Sequence, residues 1–110
     1  MEARIFIVVR LTYEATHSWP ACPHDDVAFL RHPHRHLFHI EAKKEVTHAN
    51  REIEIIRFKR EIQRFLEVGY KGDLETMSCE DLALELSRTF DLSYCQVLED
   101  NENGAEVYAE

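Results

Sequence analysis

From Arg4 to His17, apolar and polar residues alternate with few breaks. Ile5, Ile7, Val9, Leu11, Tyr13 and Ala15 share odd parity, and the next odd position is His17. Successive side chains of a strand point to opposite faces, so a period of two over this span predicts a strand with one buried side. The even positions Arg4, Arg10, Thr12, Glu14 and Thr16 are polar. Phe6 and Val8 break that rule and predict a second covered surface, such as a subunit interface. A second alternating run opens near His34 and reaches about Thr47. Here His34, His36, Phe38, Ile40 and Ala42 form the buried set, and Arg35, Leu37, His39, Glu41 and Lys43 form the outer one. Sixteen residues, Ser18 to Pro33, separate the two runs and include Pro20, Pro23, Asp25 and Asp26. Connections of that length in small domains are usually functional.

The period then changes. Over roughly Glu52 to Val68, Ile55, Ile56, Phe58, Ile62, Phe65 and Leu66 form one stripe, with Arg57, Lys59, Arg60, Glu61, Gln63 and Arg64 opposite. This spacing predicts an amphipathic helix, closed by Gly69 and Gly72. Ser78 is a good N-cap for a second helix, with Glu80 and Asp81 in its first turn and Leu82, Ala83, Leu86 and Phe90 on its buried face. Tyr94 to Asp100 reads as a strand with Cys95, Val97 and Glu99 on one side. Asn103-Gly104 signals a turn, and Ala105 to Ala109 a short closing strand. Strands and helices in this order predict a single α+β domain, with no repeat or linker.

The 110 residues carry a net charge of −8 with histidine neutral, and 45% are hydrophobic. Such a balance argues for a soluble protein without a broad nucleic-acid face, which needs clustered Lys and Arg. Met1 to Arg10 is apolar but interrupted by Glu2, Arg4 and Arg10, so it reads as neither a signal peptide nor a membrane span. The three cysteines, Cys22, Cys79 and Cys95, are odd in number and irregularly spaced. They imply no disulfide framework, and a reducing, cytoplasmic setting is expected.

The histidines carry the chemistry. One strand ends its buried face at His17, and the other begins its buried face at His34 and His36. If the two pair antiparallel, all three imidazoles converge at one end of one face, beneath the long loop. Three nitrogen ligands with a fourth position open describe a catalytic or ligand-binding divalent-metal site, with zinc (Zn2+) the expected ion. Without a metal, three neutral histidines buried together would each need a hydrogen-bond partner. His24, His32, His39 and His48 read as surface or loop residues.

These motifs resemble a known family. Tyr13-Glu14-Ala15-Thr16-His17 looks like the Phe-x-Ala-x-His motif of the 6-pyruvoyltetrahydropterin synthase and 6-carboxytetrahydropterin synthase family, and His34-Arg35-His36 is similar to its His-Gly-His. Ser78-Cys79-Glu80-Asp81-Leu82-Ala83 resembles its Thr-Ser-Glu-Asn-Leu-Ala helix start, and Val97-Leu98-Glu99-Asp100 with Ala105 and Tyr108 looks like its closing strands. The resemblance implies the tunnelling fold, a four-stranded antiparallel sheet with two helices on one face (ββααββ), assembled as a homo-oligomer, a trimer or hexamer. It implies zinc on His17, His34 and His36, and a pterin- or purine-like ligand. Glu99 would anchor the pterin by a two-point, charge-assisted contact, and Ser78 would belong to the ligand site.

The departures concern the reaction. In the family a catalytic cysteine stands shortly before the histidine pair; here those positions are Ala28 to Leu30. Cys22, twelve residues before His34, is the remaining candidate, delivered by the loop. The family's Asp-His proton relay between the helices has no counterpart in Val68 to Met77, which contains Asp73 and Glu75 but no histidine. Cys79 offers a thiol near a helix N-terminus, where the partial positive charge would lower its pKa, although such cysteines more often serve packing. Two expectations therefore stand side by side. One is a lyase acting on a dihydroneopterin-type side chain, in queuosine-type or biopterin metabolism. The other is a catalytically silent relative that binds a pterin, purine or nucleotide-like ligand as a sensor or inhibitor.

Overall fold

The alternating segments become two long paired strands. In the computed structural model, which describes all 110 residues, β1 spans Ile5–His17 and β2 spans His34–Val46. They pair antiparallel in a register that sets Ile5 opposite Val46 and His17 opposite His34. Helices α1 (Ile55–Tyr70) and α2 (Cys79–Phe90) follow, then β3 (Tyr94–Glu99) and β4 (Asn103–Tyr108). The four strands form one antiparallel sheet in the order β1-β2-β3-β4. The fold class is α+β, a four-stranded antiparallel sheet with two helices, as the pattern and the resemblance predicted.

One face of the sheet holds the core. Val9, Leu11, Tyr13 and Ala15 from β1, Phe38, Ile40 and Ala42 from β2, and Cys95 and Val97 from β3 are buried there. Phe58, Ile62 and Leu66 of α1 and Leu82, Ala83 and Leu86 of α2 close over them, with α1 against β1 and α2 against β3 and β4. The α1 stripe is narrower than its sequence suggested. Ile55 and Ile56, in the first turn, are exposed to solvent. That helix begins three residues later than expected because the Glu54 carboxylate caps it, accepting a hydrogen bond from the Arg57 backbone N–H at 2.7 Å. On the outer face of the sheet, Val8 is exposed and Phe6 lies under the Arg4 guanidinium.

The last hairpin turns earlier than predicted. Asp100 and Asn101 both adopt positive φ, 53° and 60°, and the Glu102 N–H donates to the Glu99 carbonyl at 2.9 Å. Two consecutive left-handed residues are what a tight hairpin turn of this twist requires, and Asn and Asp tolerate them well. Asn103 and Gly104 instead open β4. Gly104 is needed there for closeness: a Cβ would lie 1.8 Å from the Val97 carbonyl oxygen.

The link between the helices is tied to the sheet. The Thr16 N–H donates to the Gly72 carbonyl at 3.0 Å, the Leu74 N–H to the Thr16 carbonyl at 2.9 Å, and the Ser18 N–H to the Glu75 carbonyl at 2.9 Å. Asp73 thereby forms a parallel bridge with Thr16 beside the end of β1. The loop after β1 contains a short 3-10 stretch, Asp25–Arg31, with no buried residue. No helix is long and apolar enough to cross a membrane.

Candidate metal centre

Register alone brings the histidines together. His17 pairs directly with His34, and Ala15 pairs with His36, so the three side chains leave adjacent strands on the same face. Their ring centroids are 4.5 Å (His17–His34), 5.3 Å (His17–His36) and 5.0 Å (His34–His36) apart. Phe38, fully buried, lies edge-on to His17 and His36 and ends the apolar core at the site. His17, His34 and His36 form a group that could hold a metal ion, with ligand atoms within 4.8 Å of one another.

The outer nitrogens set the tautomers. His17 Nδ1 lies 2.8 Å from the Met77 carbonyl, His34 Nδ1 2.9 Å from the His32 carbonyl, and His36 Nδ1 2.7 Å from Asp100 Oδ2. Carbonyl and carboxylate oxygens only accept, so each Nδ1 is assigned the proton and each Nε2 presents a lone pair. All three Nε2 atoms are buried and lack a hydrogen-bond partner. An unsatisfied buried polar atom costs about 1–3 kcal/mol, and one cation shared by the three would satisfy them together. Imidazoles oriented from behind by carbonyls and a carboxylate are the usual support of a histidine metal site. The donor set fits a divalent metal of the zinc class.

Glu99, paired with Phe38 across β2 and β3, extends the buried face of β3 into the same place. Its Oε2 lies 3.0 Å from His17 Nε2 and its Oε1 3.7 Å from His36 Nε2, neither in hydrogen-bond geometry. This short contact raises the His17 pKa above the ordinary imidazole value, against the effect of burial, and holds Glu99 below the usual carboxylate value. Asp100 is likewise held low, first by the His36 hydrogen bond and then by the Leu37 N–H that its Oδ1 accepts at 3.0 Å.

A cleft of about 490 Å³ opens beside the histidines. His17 and His34 border it, with Trp19 and Leu30 from the loop, Met77 to Asp81 from the start of α2, and Glu99, Asn103 and Gly104 from the hairpin. Ser78 lies in this wall. Its side chain accepts from the Asp81 N–H, while the Asp81 carboxylate accepts from the Ser78 N–H, a reciprocal capping box. Cys79 also lines the cleft. Burial, and next the charge of Glu99, push its thiol up to about 12, so desolvation outweighs the lowering expected at a helix N-terminus. Cys22 is buried in the loop, with Sγ 3.8 Å from the His24 carbonyl, and it does not border the cleft.

The structure thus gathers His17, His34, His36, Glu99 and Ser78, and Cys22 is not among the residues that line the cleft. Sequence reading missed Asp100 as the orienting partner of His36, and Met77 and His32 as the acceptors behind His17 and His34. Asp100 had one local signal, its place directly after Glu99. The two carbonyls had none, since a backbone acceptor is independent of residue type.

No family model and no curated protein matches the chain. Among solved structures it is similar to an uncharacterized protein from Wolinella succinogenes, with a TM-score of 0.62 and 13% sequence identity over 99% of this chain and 100% of that one. At that identity the likeness shows the fold.

Proposed function

We propose that this protein binds zinc on His17, His34 and His36 and uses the site to hold a pterin-type ligand, in the manner of the 6-pyruvoyltetrahydropterin and 6-carboxytetrahydropterin synthase family that its motifs resemble. The observation that carries this reading is the convergence of three buried, unpartnered Nε2 atoms, each ring fixed from behind. When bound, the metal would supply a Lewis acid able to polarise a ligand oxygen. Glu99 stands between the metal ligands and the cleft, where its carboxylate can accept from the amino and ring N–H groups of a pterin. Ser78 and Trp19 line the space that such a ring would enter.

Two placements favour ligand binding over turnover. Cys22 does not border the cleft, and the Cys79 thiol, which does, is held protonated by burial and by Glu99. In the segment between the helices, Asp73 accepts from the Glu75 N–H at 2.9 Å and the backbone pairs with β1, so these residues serve the fold. The reading we adopt is therefore a zinc-dependent pterin-binding protein, acting as a sensor or sequestering agent. The lyase reading requires a thiol delivered to the metal.

The test uses protein purified without a histidine tag. Elemental analysis should find one zinc per chain, and titration calorimetry should detect a dihydroneopterin-type ligand only in the zinc-loaded form. Protein with no stoichiometric metal, or equal binding after zinc removal, would overturn the proposal. Product formation from dihydroneopterin triphosphate that is lost in Cys22→Ala would restore the lyase.

A further inference from the structure

Helix α1 carries a charge pattern that its own stability does not ask for. Arg57, Lys59, Arg60 and Arg64 are all exposed on it. Residues 57–64 bear four positive charges and one negative, a local +3 in a chain of −8, so the rest of the protein carries −11. Arg57, Lys59 and Arg60 stand in the first half of the helix, and no acidic residue occupies its first turn. That end of a helix is already partly positive, so these charges oppose the macrodipole. Arg57 with Arg60, and Arg60 with Arg64, also repel at three- and four-residue spacing. None of the four cationic side chains pairs with a carboxylate, whereas Arg4, Arg10, Arg31 and Arg35 each do. Instead Arg57, Arg60 and Arg64, with Glu61, line a shallow depression of about 270 Å³. Ile56, exposed and one turn before Arg60, continues the same face. No residue of α1 lines the cleft beside the histidines.

We propose that this face of α1 docks an acidic helical segment of a partner protein. Three guanidinium groups around one depression suit carboxylates, each of which a guanidinium can hold through two N–H donors. Helical rise sets Arg57, Arg60 and Arg64 about 4.5 and about 6 Å apart along the axis. Glutamates at three- and four-residue spacing on a second helix repeat those intervals, and an apolar residue one turn away would cover Ile56. An extended peptide sets its same-face carboxylates about 6.6 Å apart and matches the row less well. Length argues against a nucleic acid or an anionic lipid surface. The basic row covers about 10 Å, close to one Debye length at physiological salt, and a longer polyanion would run past it onto the negatively charged remainder. Residues 55–64 also offer no exposed aromatic ring on which a base could stack.

The experiment titrates the full chain into a fluorescein-labelled helical peptide that carries glutamates at three- and four-residue spacing and one leucine a turn away. Fluorescence anisotropy gives the affinity, and NMR of isotope-labelled protein gives the location. The peptide should bind, shift the amide signals of residues 56–64, and bind more weakly as salt rises from about 50 to about 300 mM. Arg60→Glu combined with Arg64→Glu should weaken binding at least about tenfold, by setting like charges against each other. Arg88→Glu, on the exposed side of α2, should leave the affinity within about twofold. If the reversed pair lowers the melting temperature, Arg60→Gln with Arg64→Gln makes the same test, since glutamine is a good helix former without charge. No binding to the wild type, unchanged binding in the altered pair, or an equal loss in Arg88→Glu overturns the proposal. Tighter binding of a thymidine oligonucleotide or of phosphatidylserine vesicles than of the peptide also overturns it, in favour of a polyanion.

Discussion

Glu99 holds its Oε2 3.0 Å from Nε2 of His17, and no hydrogen bond joins them. With the His17 proton on Nδ1, facing Met77, both atoms bring lone pairs to the contact. Two acceptors at that separation repel unless a proton or a cation lies with them. The same argument reaches His36, whose Nε2 lies 3.7 Å from the other oxygen of the carboxylate. The arrangement therefore asks for positive charge at the point where the three histidines meet, and the remaining cleft walls supply none.

Loss of a metal ligand should appear as loss of metal-dependent stability. Metal that binds only the folded chain stabilises it by about 2.7 kcal/mol at a free concentration of one hundred times Kd. Wild-type protein should melt several degrees higher with zinc than with a chelator. His34→Ala and His36→Ala should melt at the same temperature in both conditions. Scanning calorimetry measures this directly, and a wild-type melting temperature indifferent to zinc would contradict the site.

Asp100 should act on the metal through His36. Its carboxylate accepts from His36 Nδ1 and from the Leu37 N–H, so it fixes the ring and its tautomer. Asp100→Asn keeps a residue that tolerates the local φ of 53° while removing the charge. Zinc affinity should fall by about 10–100-fold, as is typical when such a supporting partner is lost. Competition against a chromophoric chelator gives the number.

The two helix faces predict a contrast in stability. Leu82 is completely buried in the core and Phe58 nearly so, whereas Ile56 is 56% exposed. Leu82→Ala and Phe58→Ala should each cost about 2–5 kcal/mol in urea unfolding. Ile56→Ala should change it by about 0.5 kcal/mol or less. A large loss in Ile56→Ala would mean that a partner covers the first turn of α1.

Alkali should destabilise the fold partly through Cys95. Burial pushes this thiol from 9.0 up to about 12. Below pH 9 it is protonated in both folded and unfolded chains and adds no pH dependence. Between pH 9 and 12 the unfolded chain releases a proton that the folded chain keeps, so stability falls as pH rises, by up to about 1.4 kcal/mol per pH unit. Urea unfolding at pH 8 and pH 10.5 should show the decline, and Cys95→Ala should make it shallower. The tyrosines with raised pKa, among them Tyr94 and Tyr108, account for part of the remainder.

What was legible in the sequence followed from periodicity. Strict alternation through Ala15 to His17 and through His34 to Ala42 set strand faces, and strand faces with antiparallel pairing set the histidine cluster. Ser78 and Asp81 announced the start of α2 because capping is a local interaction. The misread positions depend on non-local packing. Ile55 and Ile56 continue an apolar stripe, but in the first turn of α1 they stand exposed to solvent. Asn103-Gly104 is a good turn pair, yet Asp100-Asn101 took the turn and the close approach to Val97 claimed the glycine. The exclusion of Cys22 from the cleft depends on how a sixteen-residue loop folds over itself, through contacts such as Trp19 N–H to the Leu30 carbonyl, and no periodic pattern encodes that.

The bridge between the end of β1 and the Gly72–Met77 segment acts as a clasp. One residue of the site, His17, is grasped by it twice: through the peptide groups of its neighbours Thr16 and Ser18, and through its own ring on Met77. Any shift of His17 on metal binding would therefore be felt at the junction of the two helices. Slower exchange of the junction amides in zinc-loaded than in zinc-free protein is the expected sign of that link.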